Sequence, residues 1–262
     1  MAEIDTVDIL IDGRKLTARK GETVLSVAKR NGIEIPSLCH HEALVPSGAC
    51  RLCLVEIAKE GGLDGERDIV ASCQFPVSDG LTVQTRSDRV LKHRRQVASL
   101  LLARAPNTAL FKQLTDALGG AIPYRESERT DNCILCTLCT RTCQALGAHA
   151  INPSGRGYEK EISPPFVFGE GGCVGCGACA RVCPTGCIEI SDTADVRVIW
   201  GQEFEFVKCE KCGAPTMTRE HMALAVKRSG LAERYFSVCA ACKQKETANT
   251  FAALSAPLVA GE

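Results

Sequence analysis

Apolar and polar residues alternate from Thr6 to Ile11 (T-V-D-I-L-I), and after Asp12-Gly13 a second short run covers Lys15 to Ala18. An Asp-Gly pair between two such runs predicts a tight β-hairpin, since both residues tolerate the positive φ that the turn needs. From Thr23 the period changes, and Val24, Val27 and Ala28 share one helical face. Thr23 is placed as N-cap and Gly32 as the stop after Asn31. Arg89 to Arg104 sets Val90, Val97, Leu100 and Leu101 against a basic opposite face, which predicts an amphipathic helix. Ala105-Pro106 ends it, and Asn107 is placed to cap a second helix through Leu118 before Gly119-Gly120. Tyr124 to Asn132 is a polar linker, and Pro153, Gly155, Gly157, Pro164 and Pro165 mark turns between short strands. Val196 to Phe206 alternates again and predicts a hairpin around Gly201. Thr218 then caps a helix through Ser229-Gly230, with Met222, Ala225 and Val226 on one face. Thr247 to Glu262 reads as a short helix ending before Pro257.

Composition says what such segments need. Of 262 residues, 45% are hydrophobic but only 5% aromatic, so several small, thin-cored units are expected. Units of that kind need a staple, and bound metal supplies one. Seventeen cysteines fit that role. Met1 to Asp8 lacks a basic stretch followed by an apolar one, so no signal peptide is expected and the cysteines argue for metal over disulfides. No run of 18 apolar residues occurs, so no membrane span is expected. A cytoplasmic location is the expectation, including the periphery of a membrane-associated complex. Thirty-one basic and 31 acidic residues give zero net charge. That lacks the basic footprint of general nucleic-acid binding.

The cysteines fall into patterns. Cys133-I-L-Cys136-T-L-Cys139-T-R-T-Cys143 and Cys173-V-G-Cys176-G-A-Cys179-A-R-V-Cys183-Pro184 both have C-x2-C-x2-C-x3-C spacing. That run holds [4Fe–4S] clusters, with the fourth cysteine ligating the other cluster of the pair. One cluster is therefore assigned Cys133, Cys136, Cys139 and Cys183, and its neighbour Cys173, Cys176, Cys179 and Cys143. Gly175 and Gly177 lie between ligands, where backbone N–H groups can approach sulfur without a Cβ in the way. A pair of zinc sites is the bland alternative, but zinc sites usually join two distant C-x2-C pairs. Gly169-Glu170-Gly171 does not open a helix after a buried strand and is not a dinucleotide fingerprint.

Nearer the amino end, Cys39, Cys50, Cys53 and Cys73 can supply four thiolates to a [2Fe–2S] cluster. Hairpin, helix and cysteine loop together suggest a β-grasp ferredoxin. The ten-residue gap from Cys39 to Cys50, the two-residue gap to Cys53, and Cys73 followed by P-V-S-D-G-L-T-V-Q-T carry a resemblance. This segment resembles the amino-terminal [2Fe–2S] domain of the iron–sulfur subunit in the NADH-oxidising arm of respiratory complex I. It is equally similar to the matching subunits of NAD-linked hydrogenases and formate dehydrogenases. Gly61, Gly62 and Gly65 suggest an extended hairpin loop between Cys53 and Cys73. His40 and His41 adjoin the first ligand, but four cysteines already stand at family spacing, so they read as surface loop residues.

The resemblance also implies, in larger members, a further [4Fe–4S] site held by one histidine and three cysteines. No cysteine occurs between Cys73 and Cys133, and His93 is alone in a helix, so that site is absent here. The two helices remain as a spacer, and their basic face is either solvated or a docking surface. Cys187 lies past the fourth ligand and reads as a buried free thiol. Cys209, Cys212, Cys239 and Cys242 form two C-x2-C pairs across a 26-residue gap. They fit a four-thiolate zinc site or a third [4Fe–4S] cluster.

The expected architecture is α+β in five parts. A β-grasp [2Fe–2S] domain covers 1–88, a helical spacer 89–126, and a bacterial-type 2[4Fe–4S] ferredoxin domain 127–195. A small four-cysteine metal domain follows over 196–246, then a tail over 247–262. No P-loop, Gly-rich flavin site or paired acid and base appears, so the chain is expected to have no substrate site of its own. Clusters pass single electrons, whereas NADH delivers a hydride to a flavin. The resemblance thus implies two partners, a flavoprotein that oxidises NAD(P)H and a second redox enzyme such as a hydrogenase or formate dehydrogenase. A freely diffusing polyferredoxin and a metal-stapled binding protein without redox role are the competing readings.

Overall fold

The computed structural model describes residues 5–59, 67–164 and 172–255. The glycines at 61, 62, 65, 169 and 171 and the prolines at 165 and 257, named above, lie outside them. The alternating start forms a hairpin of β1 (Thr6–Ile11) and β2 (Arg14–Arg19), in register from Thr6 opposite Arg19 to Ile11 opposite Arg14. Its turn has φ of 49° at Asp12 and 78° at Gly13. Asp12 is held there by Thr85, whose N–H and hydroxyl donate to its carboxylate at 2.7 and 2.6 Å. Helix α1 (Val24–Arg30) starts at the expected cap, where Thr23 Oγ1 accepts from Ser26 N–H. Strands β3 (Leu54–Lys59), β4 (Asp68–Ala71) and β5 (Leu81–Gln84) complete a sheet of order β2-β1-β5-β3-β4, with β1 and β5 parallel. Alternation along the strands turns Ile9, Ile11, Val55, Leu81 and Val83 inward against Val24, Leu25 and Val27 of α1. At the free amino end of α1, Val24 N–H donates to Phe75 O and Leu25 N–H to Ser72 O. These otherwise unsatisfied donors thereby fix the loop that carries Cys73.

Helix α2 (Asp88–Arg104) is capped by Ser87, and its buried stripe differs from the expected one. Val90, Arg94, Ala98 and Ser99 are buried, whereas Leu100 is 53% exposed. The reason is a polar demand on β3: Arg94 Nη2 donates to Leu54 O at 2.6 Å, which rotates this arginine into the core. Burial pulls its pKa down to about 10. The basic face is therefore partly structural, since Arg95 also donates to Gly120 O at 2.8 Å. Helix α3 (Ala109–Ala117) begins after Thr108 and not Asn107, and Thr108 makes no side-chain cap bond. Its Phe111 is fully buried. Val97, Ala98 and Leu101 of α2 pack in one apolar cluster with Cys39, Cys50, Leu52, Cys136 and Leu138.

The carboxyl half holds α4 (Leu138–Leu146), the small hairpin β6 (Asn152–Ser154) and β7 (Glu161–Ser163), and α5 (Ala178–Arg181). Strands β8 (Ile190–Asp192), β9 (Val196–Ile199), β10 (Gln202–Lys208) and β11 (Pro215–Thr218) form an antiparallel sheet of order β11-β10-β9-β8. The β9–β10 turn falls at Trp200 and Gly201, as the alternation suggests. Helix α6 (Arg219–Ser229) is capped by Thr218 and stopped by Gly230 at φ 68°. Helix α7 (Ala240–Ser255) starts inside the second C-x2-C pair, seven residues before the expected tail helix. Among the described residues no helix is long and apolar enough to cross a membrane.

Two leucines make a direct comparison. Leu25→Ala, at a fully buried site, should cost about 2–5 kcal/mol and lower the denaturant midpoint. Leu100→Ala should stay within about 0.5 kcal/mol. Equal effects in urea titrations of the two variants would contradict the observed helix faces.

Candidate metal centres

All seventeen cysteines are without disulfides. In the first group Cys39, Cys50, Cys53 and Cys73 are buried, Cys53 directly before β3 and Cys73 two residues after β4. Cys50 N–H donates to Cys39 Sγ, and Leu38 N–H to Cys50 Sγ, both at 3.4 Å. Thiol donation from Cys50 and Cys73 holds the Cys39 thiol far below its ordinary value, and Cys73 brings Cys53 down to about 6. The donors Cys50 and Cys73 are pushed up in turn. The four sulfurs thus share protons that a metal centre would displace, since ligating cysteine is a thiolate. His41 is exposed and its Nδ1 accepts from Ala43 N–H at 3.2 Å. His40 is half-buried, and burial lowers its pKa.

The two four-cysteine runs interleave. One enclosed cavity is lined by Cys133, Cys136, Cys139 and Cys183, the other by Cys173, Cys176, Cys179 and Cys143. The fourth cysteine of each run therefore faces the cavity of the other. The loops achieve this with left-handed backbone at matched positions. Leu135 and Thr137 in the first run have φ of 54° and 60°, and Gly175 and Gly177 in the second have 62° and 73°. Amide donors turn inward as a result: Leu135 N–H reaches Cys133 Sγ at 3.5 Å and Gly175 N–H reaches Cys173 Sγ at 3.4 Å. Glycine is needed in the second run for space as well, because a Cβ at Gly175 would lie 2.5 Å from the Phe204 side chain. In the first run the strained conformation falls on Leu and Thr, a cost usually met at functional sites.

Two buried donors also fit sulfur-rich groups. Trp200 Nε1 and Ser47 Oγ are buried and make no hydrogen bond of regular geometry. Each lies against a thiol, Trp200 beside Cys179 and Ser47 beside Cys39, and draws its pKa down. Burial wins at Cys179, whose thiol stays up at about 11. Neither residue was legible as a site residue, because an isolated Trp or Ser in a loop carries no spacing signal.

Cys187 is a free thiol, as expected, but less buried than expected. It is half-buried, lines the first cavity, and lies 3.5 Å from Cys183 Sγ. As donor it holds Cys183 down at about 4 and Cys133 at about 7, while its own thiol is pushed up. His93 is half-buried, with Nδ1 2.7 Å from Arg89 O.

At the carboxyl end the sulfurs of Cys209, Cys212, Cys239 and Cys242 all lie within 4.8 Å of one another. Among the described residues this is the one group of potential ligand atoms so tightly gathered. A knuckle builds it: Gly213, at φ 71°, donates to Cys209 O, and Cys209 N–H to Ala214 O. Glu210 N–H donates to Ser237 O and ties the two pairs together. Cys239 N–H donates to Cys209 Sγ at 3.3 Å.

Comparison with known proteins gives two domain matches, a 2Fe-2S iron-sulfur cluster binding domain over residues 5–88 and a 4Fe-4S dicluster domain over residues 128–190. The chain is 32% identical over 212 residues to the NADP-reducing hydrogenase subunit HndD of Solidesulfovibrio fructosivorans, covering 69% of this chain and 35% of that one. It is 32% identical over 208 residues to the NADPH-Fe(3+) oxidoreductase subunit alpha of Geobacter sulfurreducens, covering 69% and 24%. It is 31% identical over 182 residues to the NADH-ubiquinone oxidoreductase 75 kDa subunit of Reclinomonas americana, covering 60% of this chain and 26% of that one. The chain thus spans about a quarter to a third of the length of these relatives. Its fold is similar to a chain of an NAD+-reducing [NiFe]-hydrogenase in the H2-reduced state, with TM-score 0.57 and 24% identity over 87% of this chain and 97% of that one. Residues 5–88 belong to the family of 2Fe-2S cluster binding domains, and residues 128–190 to that of 4Fe-4S dicluster domains.

Proposed function

We propose that the chain is an iron–sulfur electron-transfer subunit, relaying single electrons between a flavoprotein that oxidises NAD(P)H and a second redox enzyme. The observation that carries this reading is the serial packing of the cysteine sets. Cys39 and Cys50 share one apolar cluster with Cys136. Cys139, Cys143, Cys173, Cys179 and Cys183 share the next. Bound clusters would supply one-electron storage at each set. The chain's own residues bury the sulfurs, aim amide donors at them and exclude water between sets. The names of the relatives support nicotinamide-linked partners of hydrogenase or complex I type. The first unit, with its helix packed on a five-stranded sheet, is read as the β-grasp domain, and the terminal sheet with its cysteine knuckle as a separate metal domain.

For Cys187 the reading assigns a hydrogen-bonding role beside Cys183 and not ligation. At the carboxyl site it assigns zinc. Tetrahedral zinc with bonds of about 2.3 Å places its sulfurs about 3.8 Å apart. The Cys212–Cys239 separation of 3.7 Å agrees with that spacing. A cubane would set four irons and four sulfides between the thiolates and spread them further.

Anaerobically prepared protein should contain about ten irons per chain, and EPR after reduction should resolve both cluster types. Colourless protein above 300 nm would sink the relay. One zinc per chain is expected besides, and Cys239→Ser with Cys242→Ser should remove it, destabilise the terminal domain and leave the cluster signals. Four extra irons and no zinc would overturn that assignment. Cys187→Ala should retain the full iron content. Loss of one cluster's worth of iron in that variant would make Cys187 a ligand.

A further inference from the structure

Each cysteine set assigned to a cluster has a ligand-loop carbonyl held by an arginine from a neighbouring part of the fold. Arg141 of α4 reaches back to the first unit, where Nη2 donates to Cys39 O at 2.5 Å and Nη1 to Val45 O at 2.7 Å. Arg104, the last residue of α2, donates from Nε to Cys133 O at 3.0 Å. Arg197 of β9 donates from Nη1 to Gly175 O and Cys176 O, both at 3.0 Å. The three contacts cross the boundaries between first unit, helix pair, dicluster segment and terminal sheet.

We propose that Arg141, Arg104 and Arg197 are positioning residues that clamp the cluster loops across unit boundaries and raise the reduction potential of the cluster each one faces. Guanidinium stays charged at any accessible pH, so each clamp brings a permanent cation to an anionic, thiolate-ligated centre. Reduction adds one electron to that centre, with no bond made and no proton required. A nearby cation favours the more negative state, so the potential rises; local charge and hydrogen bonding are established determinants of cluster potentials. The clamps differ in a way that grades the effect. Arg197 is buried but paired with Asp192, whose carboxylate accepts from Nε and Nη2 at 2.8 and 2.7 Å, so its charge is largely offset. Among the described residues Arg104 and Arg141 make no ion pair within 4.0 Å.

The inference rests on the cluster assignment above, and the test separates the two. Full-length protein, reconstituted anaerobically, is titrated with dithionite and followed by EPR, with iron measured for every sample. Arg141→Gln and Arg104→Gln should each lower the potential of their own cluster. The reduced-to-oxidised ratio at fixed potential should fall about tenfold, which is ~59 mV for one electron, with the largest shift at the cluster whose loop is clamped. Arg197→Gln should shift the remaining cluster less, and Asp192→Asn should move that cluster the opposite way. Arg→Lys variants keep the charge and should hold the wild-type potential, which also covers any glutamine variant that loses its cluster. Full iron with unchanged potentials in the glutamine variants overturns the inference and leaves the assignment standing, as does a lysine variant with full iron and a lowered potential. Wild-type protein without clusters removes the assignment and the inference with it.

Discussion

Sulfurs gathered in buried groups present a conflict that the rest of this structure is arranged around. As thiolates they repel one another, and as thiols they strand protons that burial leaves without good acceptors. Sharing a proton between neighbours, as Cys39 does with Cys50 and Cys73, is a partial answer. A multivalent centre bound to all of them removes both problems, and its binding free energy becomes folding free energy. The thin apolar cores follow from that. The first unit has a continuous core of its own under α1, whereas the second is built around cysteines and a few side chains such as Ile151, Ile188 and Phe204.

Amide donors, left-handed loop residues and arginine clamps are consequences of the same constraint. Anionic sulfur needs N–H groups directed at it, and a loop directs them only by leaving the usual backbone regions. Gly175 and Gly177 adopt that conformation freely, while Leu135 and Thr137 are held in it by their surroundings. Carbonyls turned outward by the same loops then need donors of their own, and Arg104, Arg141 and Arg197 provide them.

How much of this the sequence discloses depends on whether the determinant is local. The Asp12-Gly13 turn, the Thr23 and Thr218 caps and the Trp200-Gly201 hairpin were legible because each is decided within a few residues. The crossing of Cys143 and Cys183 between cavities was expected because the C-x2-C-x2-C-x3-C run behaves this way in two-cluster ferredoxins. The buried face of α2 was not. Hydrophobicity pointed to Leu100, but it is Arg94 that turns inward, where it donates to Leu54 O on β3. Nothing within the helix encodes that contact. The contact of Cys187 with Cys133 was not legible for a similar reason, since the two are 54 residues apart in the chain.

The helix pair then takes on a different meaning. The resemblance implies a histidine-ligated centre in this region of larger members, whereas here no cysteine stands between Cys73 and Cys133. Ala98 and Leu101 of α2 bring Cys39 and Cys50 into one apolar cluster with Cys136, and Arg141 fastens Cys39 to the helix that carries Cys139 and Cys143. What α2 contributes is the surface on which both loops are seated. That requires small and branched side chains at 97, 98 and 101 and no cysteine at all.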